Sequence, residues 1–506
     1  MPDCLHGYHG RYLRVDVAAR TAEAHPIPAD VLRRFLGGTG LGTWLLLEET
    51  PDEVDPLGPD APIVTVFSPL VGSPLTTSAK FAMLAKSPLT GRINDSLSSS
   101  AFAISGKKTG YDAFVIVGAA STPTLLVIEP DEVRFESASA VWGKSARNAE
   151  AMLRDRLGAQ FKIAAIGPAG ENLVRFATVS HDGRHAGRGG LGAVFGSKKL
   201  KAIAVTGDRQ TTFADPERLF EYSKVLSRRS FGPATRKYRE LGTVSNLLAF
   251  NRLGTLPTRN FQSATFEGAE ALAPETIAAT HTRTRASCAA CTIGCEHIFH
   301  TRDSGQGVRL EYESLFALGP LCGVSDPDVL LKAAERCDEL GMDTISTGAT
   351  IAFAMECAER GLIDAPELRF GNGAALLDML TKIAHRDRLG DLLSHGTRHA
   401  AAEIGQGAGD FAPHVKGLEI PGYEPRSLQT MALGFAVGTR GADHNRSGAY
   451  QVDLSTEVDR MQVGPESAHL AIETENEAAL LDSLILCKFL RGVGDDRLGA
   501  RAEMLE

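Results

Sequence analysis

The sequence predicts an α+β fold, with a β-rich N-terminal domain over residues 1–210, a mainly helical domain over 211–417 and a shorter helical domain over 418–506. Three observations carry that reading. Short apolar runs broken by glycine and proline fill the first part, helical periodicity takes over from Asp215-Pro216, and one strong helix stands near the end.

In the first domain Tyr12–Val17, Ile63–Phe67, Phe114–Val117, Leu125–Ile128, Lys162–Ile166 and Ala202–Val205 read as buried strands, each a short apolar run between turn residues. Three glycine-rich passages lie among them: Gly37–Gly42, Gly167-Pro168-Ala169-Gly170 and His181–Gly190. Glycine lets backbone amides approach a phosphate closely, and Arg184 and Arg188 supply charge in the last passage. Gly37–Gly42 follows a helix-like Val31–Leu36 in place of a strand, which favours a plain turn there over a dinucleotide fingerprint.

In the second domain Ser325-Asp326-Pro327-Asp328 opens a helix whose Val329, Leu330, Ala333, Ala334, Cys337 and Leu340 recur at helical spacing before Gly341. Asp343 is placed to cap the next helix, with Ile345, Ala349, Ala352 and Phe353 on its buried side. On this pattern alone Asp338 is a solvent-facing charge and Asp343 a cap. The third domain holds Arg440–Arg446 and then a helix expected from Glu475 through Leu490, carrying Asp482 and Cys487 among Leu480, Leu481, Leu484, Ile485 and Leu486.

Chemistry is concentrated in Ser287–His297, where Cys288, Cys291 and Cys295 fall within eight residues. The spacing Cys-x2-Cys-x3-Cys suits a loop folded around one corner of an iron–sulfur cube, with a distant fourth cysteine closing the site. Structural zinc, which more often takes two separated Cys-x2-Cys pairs, and unligated thiols are the alternatives. Cys322, Cys337 and Cys357 read as buried hydrophobes and Cys4 as part of a frayed end.

The chain has 506 residues, eight cysteines and a net charge of −9, with no long basic stripe. This argues against a nucleic-acid binder and for small or protein partners. No basic leader with an apolar run precedes His9 and no stretch of about 18 apolar residues occurs, so the expectation is a cytoplasmic protein that does not span a membrane. Neither a nucleophile elbow, a P-loop nor a His-Glu-x-x-His helix is present.

Taken with Glu311-Tyr312-Glu313-Ser314, Asp338-Glu339-Leu340-Gly341-Met342-Asp343 and Asp482–Cys487, the cysteine loop resembles that of the tungsten-containing aldehyde:ferredoxin oxidoreductase family. The resemblance begins at His9-Gly10-Arg11 and runs in order through Lys86–Gly91, Gly110–Ala113, Ile166–Asn172, Gly187–Gly190 and Gly196-Ser197-Lys198. It implies a tungsten, or molybdenum, held by two pyranopterins beside a [4Fe-4S] cluster whose ligands would be Cys288, Cys291, Cys295 and Cys487. A carboxylate matches the paired donors on a pterin edge, so Asp338 and Asp343 would hold one pterin and Asp482 the other. Lys80, Thr344, Arg446 and Leu486 complete the implied cofactor contacts. The β-rich domain would cradle the pterins through its glycine-rich loops, with Gly187, Arg188, Gly189 and Gly190 facing the phosphates and the Ala186 carbonyl helping to hold a bridging magnesium. Glu313 and His444 match the family's two ionisable residues beside the metal. A protonated His444 would stabilise charge on the aldehyde oxygen while Glu313 orients or deprotonates water.

The implied activity is oxidation of an aldehyde to its acid, with electrons leaving through the cluster to ferredoxin or another carrier. Two alternatives are the catalytic subunit of a tungsten-dependent aromatic acyl-CoA reductase and a non-catalytic iron–sulfur relay or scaffold. Three departures bear on the choice. Ile485 stands where the family has glycine and is expected to crowd a pterin, and Lys80 replaces an arginine, keeping charge without the bidentate fork. The chain also ends at Glu506, where family members continue; this implies a covering subunit in a homo- or hetero-oligomer, a larger substrate, or an impaired enzyme.

Overall fold

Two six-stranded sheets build the N-terminal part. The first comprises β1 (Arg11–Asp16), β2 (Thr21–Pro26), β3 (Ile63–Val66), β4 (Lys80–Lys86), β5 (Ile93–Ser99) and β6 (Ala113–Val117), in the order β2-β1-β6-β3-β4-β5. The second comprises β7 (Thr124–Ile128), β8 (Val133–Ser137), β9 (Lys162–Ile166), β10 (Val179–His181), β11 (Arg184–Ala186) and β12 (Leu200–Val205), in the order β11-β10-β9-β12-β7-β8. Only β1–β6 and β7–β12 pair in parallel. This computed structural model describes residues 5–456 and 458–493, so Cys4 lies outside the described residues.

Both faces of these sheets are covered, which is why the strands read as continuous apolar runs. Leu13, Val15, Phe81, Phe114 and Ile116 of the first sheet meet Leu126, Ile128, Ile166 and Ile203 of the second. With a side-chain period of two, Val64, Val66, Leu84 and Val115 turn the other way, onto the helix Gly38–Glu49. Leu125, Val127, Ile163 and Ala204 likewise face the helix Ala146–Leu157.

Gly37–Gly42, expected as a turn, instead caps and begins the helix Gly38–Glu49. A side chain at Gly38 would collide with the Asp482 carbonyl, and one at Gly40 would lie 2.9 Å from Ser483 Oγ. These glycines therefore let a helix of the first domain touch the last one. Gly167 serves the same end: a Cβ there would strike the Leu340 carbonyl. Neither passage lines the cavity described below, so of the glycine-rich loops expected to cradle a cofactor only Gly187–Arg188 reaches it.

The helical part packs Pro327–Leu340, Thr344–Glu359 and Gly373–His385 into one large core. Asp326 and Asp343 cap the first two as their sequence positions predict. Thr344–Glu359 is buried from Ile345 through Cys357, because it is apolar on all sides and not only on the expected face. Its start is pinned to the sandwich by Thr178 N→Gly341 O (2.9 Å) and Asp343 N→Phe176 O (3.0 Å). A three-stranded sheet, β13 (Arg283–Ala286), β14 (Glu296–His300) and β15 (Gly307–Arg309), carries the cysteine loop between its first two strands.

The last helix runs Pro465–Leu484, ten residues earlier at its start than expected and ending before Cys487. Ile485 stops it by adopting the left-handed conformation (φ 53°). Its side chain is fully buried with Leu41 and Leu45 against the first sheet and does not line the cavity described below. The cost of a branched residue here is backbone strain.

Asp112, almost fully buried, accepts from the amides of His9 (3.0 Å) and Gly10 (2.7 Å) and pairs with buried Lys107. Asp112→Ala leaves that ammonium uncompensated, and a loss of about 3–5 kcal/mol in urea unfolding is expected.

Candidate active site

A cavity of about 450 Å³ opens where β5, the Gly187-Arg188 turn, Tyr312-Glu313, the 440–446 segment and residues following Asp482 converge. Glu313 stands in the first turn of the helix Tyr312–Leu318, and its Oε2 accepts from the Gly422 amide at 3.0 Å. Among the described residues its Oε1 is buried without a hydrogen-bond partner and lies 3.6 Å from His444 Nδ1, likewise without one. His444 opens a short helix capped by Asp443 and stacks on Tyr423, ring centres 4.8 Å apart.

Burial pushes the Glu313 carboxyl up to about 7, opposed by the Gly422 amide and Arg188. Burial drives the His444 imidazole down to about 3, partly offset by Asp443 and reinforced by Arg188 and Lys488. Burial thus disfavours the protonated form of His444 that the resemblance implies. Asp443, whose burial disfavours charge, is nonetheless held well below the usual carboxylate range by Arg440 and its cationic neighbours.

A buried charge network floors the cavity. Asp95 on β5 pairs with Arg446 and lies 3.6 Å from Arg440 Nη1, which also reaches Asp443 (3.2 Å). Asp482 takes Lys488 at 3.1 Å and Arg446 at 3.8 Å. Among the described residues Arg440 Nε and Nη2, Arg446 Nε and Asn94 Nδ2 are buried without a hydrogen-bond partner.

A second cavity, about 230 Å³, is lined by Cys288, Cys291, Cys295 and Cys487 with Arg184, His185 and Arg309. The loop geometry is fixed from outside: Thr77 donates its amide to Ala290 O (2.6 Å) and its hydroxyl accepts from the Cys487 amide (3.3 Å). A hydrogen bond from Cys291, with the Arg184 charge, pulls the Cys288 thiol down to about 6 against burial, whereas burial pushes Cys295 up. Among the described residues no three His, Cys, Asp or Glu side chains converge closely enough for a single ion. Lys80, Leu97, Glu311, Cys487 and Phe489 line both cavities.

Residues 12–207 match the N-terminal domain of aldehyde ferredoxin oxidoreductase, and residues 222–505 match its domains 2 and 3. The chain belongs to the aldehyde ferredoxin oxidoreductase family. It is an oxidoreductase, 36% identical to the tungsten-containing aldehyde ferredoxin oxidoreductases of Pyrococcus furiosus and Thermococcus kodakarensis, over 97% of this chain and 83% of each of theirs. The WOR-like subunit of an aliphatic sulfonate oxidoreductase from Pyrococcus furiosus is 28% identical over 98% of this chain and 81% of its own. A solved active-site complex BamBC of benzoyl coenzyme A reductase, bound to 1,5-dienoyl-CoA, shares the fold. Its TM-score is 0.81 at 24% identity, over 96% of this chain and 82% of that one.

In this family member Glu313, His444, Lys80, Gly187, Arg188, Arg446, Asp482 and Cys487 share the larger cavity, and the other three loop cysteines share the smaller. Other expected site residues stand behind those walls. Asp343 caps its helix through the Ile345 and Ser346 amides and reaches Arg188 Nε at 3.4 Å. Arg188 also donates to the carbonyls of Ala442 (2.7 Å) and Glu419 (2.6 Å). Thr344 bonds Ser314 (3.1 Å), Leu486 packs among Leu481 and Cys295, and Ala186 ends β11 opposite Val179. Gly189 and Gly190 take positive φ where side chains would strike Asn94 and Arg175. Asp338 is not the solvent-facing charge its helical position suggested: His185 Nε2 lies 3.0 Å away and, against burial, holds its carboxyl below the usual range.

Sequence reasoning missed Asp95, Lys488 and the aromatic wall of Tyr238, Tyr423, Tyr450 and Phe489. The sequence carries no signal for the first, because only the fold shows that the polar triplet Asn94-Asp95-Ser96 is buried inside a strand. Among the described residues no helix is long and apolar enough to cross a membrane.

Proposed function

We propose that this chain oxidises an aldehyde to the carboxylic acid at a tungsten bis-pyranopterin centre in the larger cavity. Cys288, Cys291, Cys295 and Cys487 would hold a [4Fe-4S] cluster, which would supply the electron path to ferredoxin or a similar cytoplasmic carrier. The observation that supports the reading is the wall common to both cavities: Lys80, Leu97, Glu311, Cys487 and Phe489 line the space that holds the candidate catalytic pair and also the space that holds the other three thiols.

The residues fit such groups. Glu313 Oε1, His444 Nδ1, Asn94 Nδ2 and the spare Arg440 and Arg446 nitrogens are buried polar atoms that each cost about 1–3 kcal/mol unless a bound polar partner satisfies them. Four thiols around one cavity suit a multi-atom cluster, and the sequence lacks the second Cys-x2-Cys pair that structural zinc more often takes. Asp482 already faces the cavity. Asp338 and Asp343 stand behind its wall, Asp338 paired with His185 and Asp343 with both oxygens engaged by the Ile345 and Ser346 amides and Arg188, so a pterin edge there would have to share those bonds. Gly187 has open space where a side chain would stand, and the Ala186 carbonyl is the candidate magnesium ligand.

When bound, the tungsten centre supplies a Lewis acid and a two-electron acceptor. Overall the aldehyde gains an oxygen from water and loses two electrons, with two protons released. Glu313, poised near neutrality, accepts a proton from that water. Neutral His444 holds the aldehyde oxygen by a hydrogen bond, and Tyr423 behind it fixes the ring plane. Tyr312, Tyr450 and Phe489 limit bulk water.

The test is elemental and pterin analysis of anaerobically purified protein, made with tungstate in a host that synthesises the pterin. About one tungsten, four iron and two pterins per chain, with aldehyde-dependent dye reduction, are expected. Iron without tungsten or pterin sinks the catalytic reading, and turnover of an aroyl-CoA in place of aldehydes assigns the acyl-CoA reductase.

A further inference from the structure

We infer that the surface over the cysteine loop docks an acidic iron–sulfur electron carrier through four arginines brought there by three separate elements. The inference rests on the reading that electrons leave through that loop. β13 is the edge of its sheet, and its Arg283 and Arg285 are exposed just before Ser287. Arg285 Nη1 donates to the Arg239 carbonyl at 3.1 Å, joining β13 to the helix Pro233–Leu241, and its Nε lies 3.5 Å from where a Gly294 Cβ would stand. Ser230 Oγ meets Thr292 Oγ1 of the loop at 2.6 Å, bringing the end of the helix Pro216–Arg229, with exposed Arg228, to the same place.

Among the described residues none of Arg228, Arg239, Arg283 and Arg285 pairs with a carboxylate, whereas nearby Arg236 is cancelled by Glu240 at 2.8 Å. An uncompensated basic patch in a chain of net charge −9 is a local exception. Guarding a sheet edge against aggregation would account for Arg283 and Arg285. It does not account for Arg228 and Arg239, which come from helices. Ser287 and Ala290 are exposed on the loop, the four cysteines are half-buried, and Arg285 approaches Gly294, the residue before Cys295, so the patch borders the cysteine loop.

Charge complementarity selects the partner. An acidic carrier is steered to this face and not to the acidic remainder, and a small transient interface of this kind depends steeply on salt. Such a carrier must also place its own cluster over the loop, which a polyanion without a redox centre has no reason to do.

The experiment is calorimetric titration of anaerobically purified holoprotein with a small acidic two-cluster ferredoxin, at about 20 and 300 mM salt. Binding at low salt that weakens about tenfold or more at high salt is expected. R283E/R285E and Arg228→Glu should each weaken low-salt binding, the double variant at least about tenfold, with iron content and dye-linked turnover unchanged. Arg388→Glu, an exposed arginine on another element, should bind like the parent. Absence of parental binding, affinity indifferent to salt, or variants that bind as tightly as the parent each overturn the surface. Salt-sensitive, arginine-dependent binding by a protein that oxidises no aldehyde would uphold the surface and overturn the aldehyde reading.

Discussion

Glu313→Gln lowers aldehyde-dependent turnover by about 10²- to 10⁴-fold, the usual worth of a positioned general base, while iron, tungsten and pterin contents stay parental. The amide is nearly isosteric and its carbonyl oxygen keeps the Gly422 hydrogen bond, so the geometry survives and only the exchangeable proton is lost. A parental rate in the variant would remove Glu313 from the chemistry.

The same variant tests the electrostatics without turnover. In the fold the carboxyl is raised from 4.5 to about 7, burial being the main cause. Below pH 4.5 both folded and unfolded forms carry the proton, and the stabilisation is complete. As pH rises from about 4.5 to 7 the unfolded chain gives up its proton first, so stability falls, by up to about 3 kcal/mol, and levels off above that range. Glutamine cannot titrate. The urea midpoint of Glu313→Gln should therefore gain on the parent between pH 5 and pH 8; a gap that is the same at both pH values would show that burial does not perturb this carboxyl.

Cys487→Ser abolishes the cluster, with labile sulfide and visible iron–sulfur absorbance lost and carrier-linked turnover falling to background. Serine is close in shape, but its hydroxyl does not ionise near neutral pH and is a hard ligand where iron–sulfur clusters take thiolate. Cys337→Ser is the control. That thiol is fully buried and burial pushes its pKa well up, so the change costs about 1–3 kcal/mol for a buried hydroxyl and leaves iron untouched. Parental iron and sulfide in Cys487→Ser would place the fourth ligand elsewhere.

Sequence alone determined what depends on near neighbours. The buried strands around Val15, Val64, Val127 and Ile203 were legible because both faces of each sheet are covered, and the caps at Asp326 and Asp343 because a carboxylate before a helix satisfies its first amides. The three loop cysteines were legible from spacing. Polar β5 and three-residue β11 were not: each pairs with the strand just before it in the chain, but neither carries an apolar run of its own.

Tertiary structure alone decided the rest. It turned Gly37–Gly42 into a helix start, because Asp482 and Ser483 pack too closely there for side chains. It ended the last helix at Ile485 and drew that side chain into the first sheet's core, despite a run of leucines that continues the helical pattern. It also gave Asp338 its histidine, Asp95 its arginines and His444 a burial that disfavours its charged form. Each outcome turns on partners far away in the chain and on the loss of water around them. Periodicity and spacing record short-range geometry; burial and charge pairing are properties of the assembled fold.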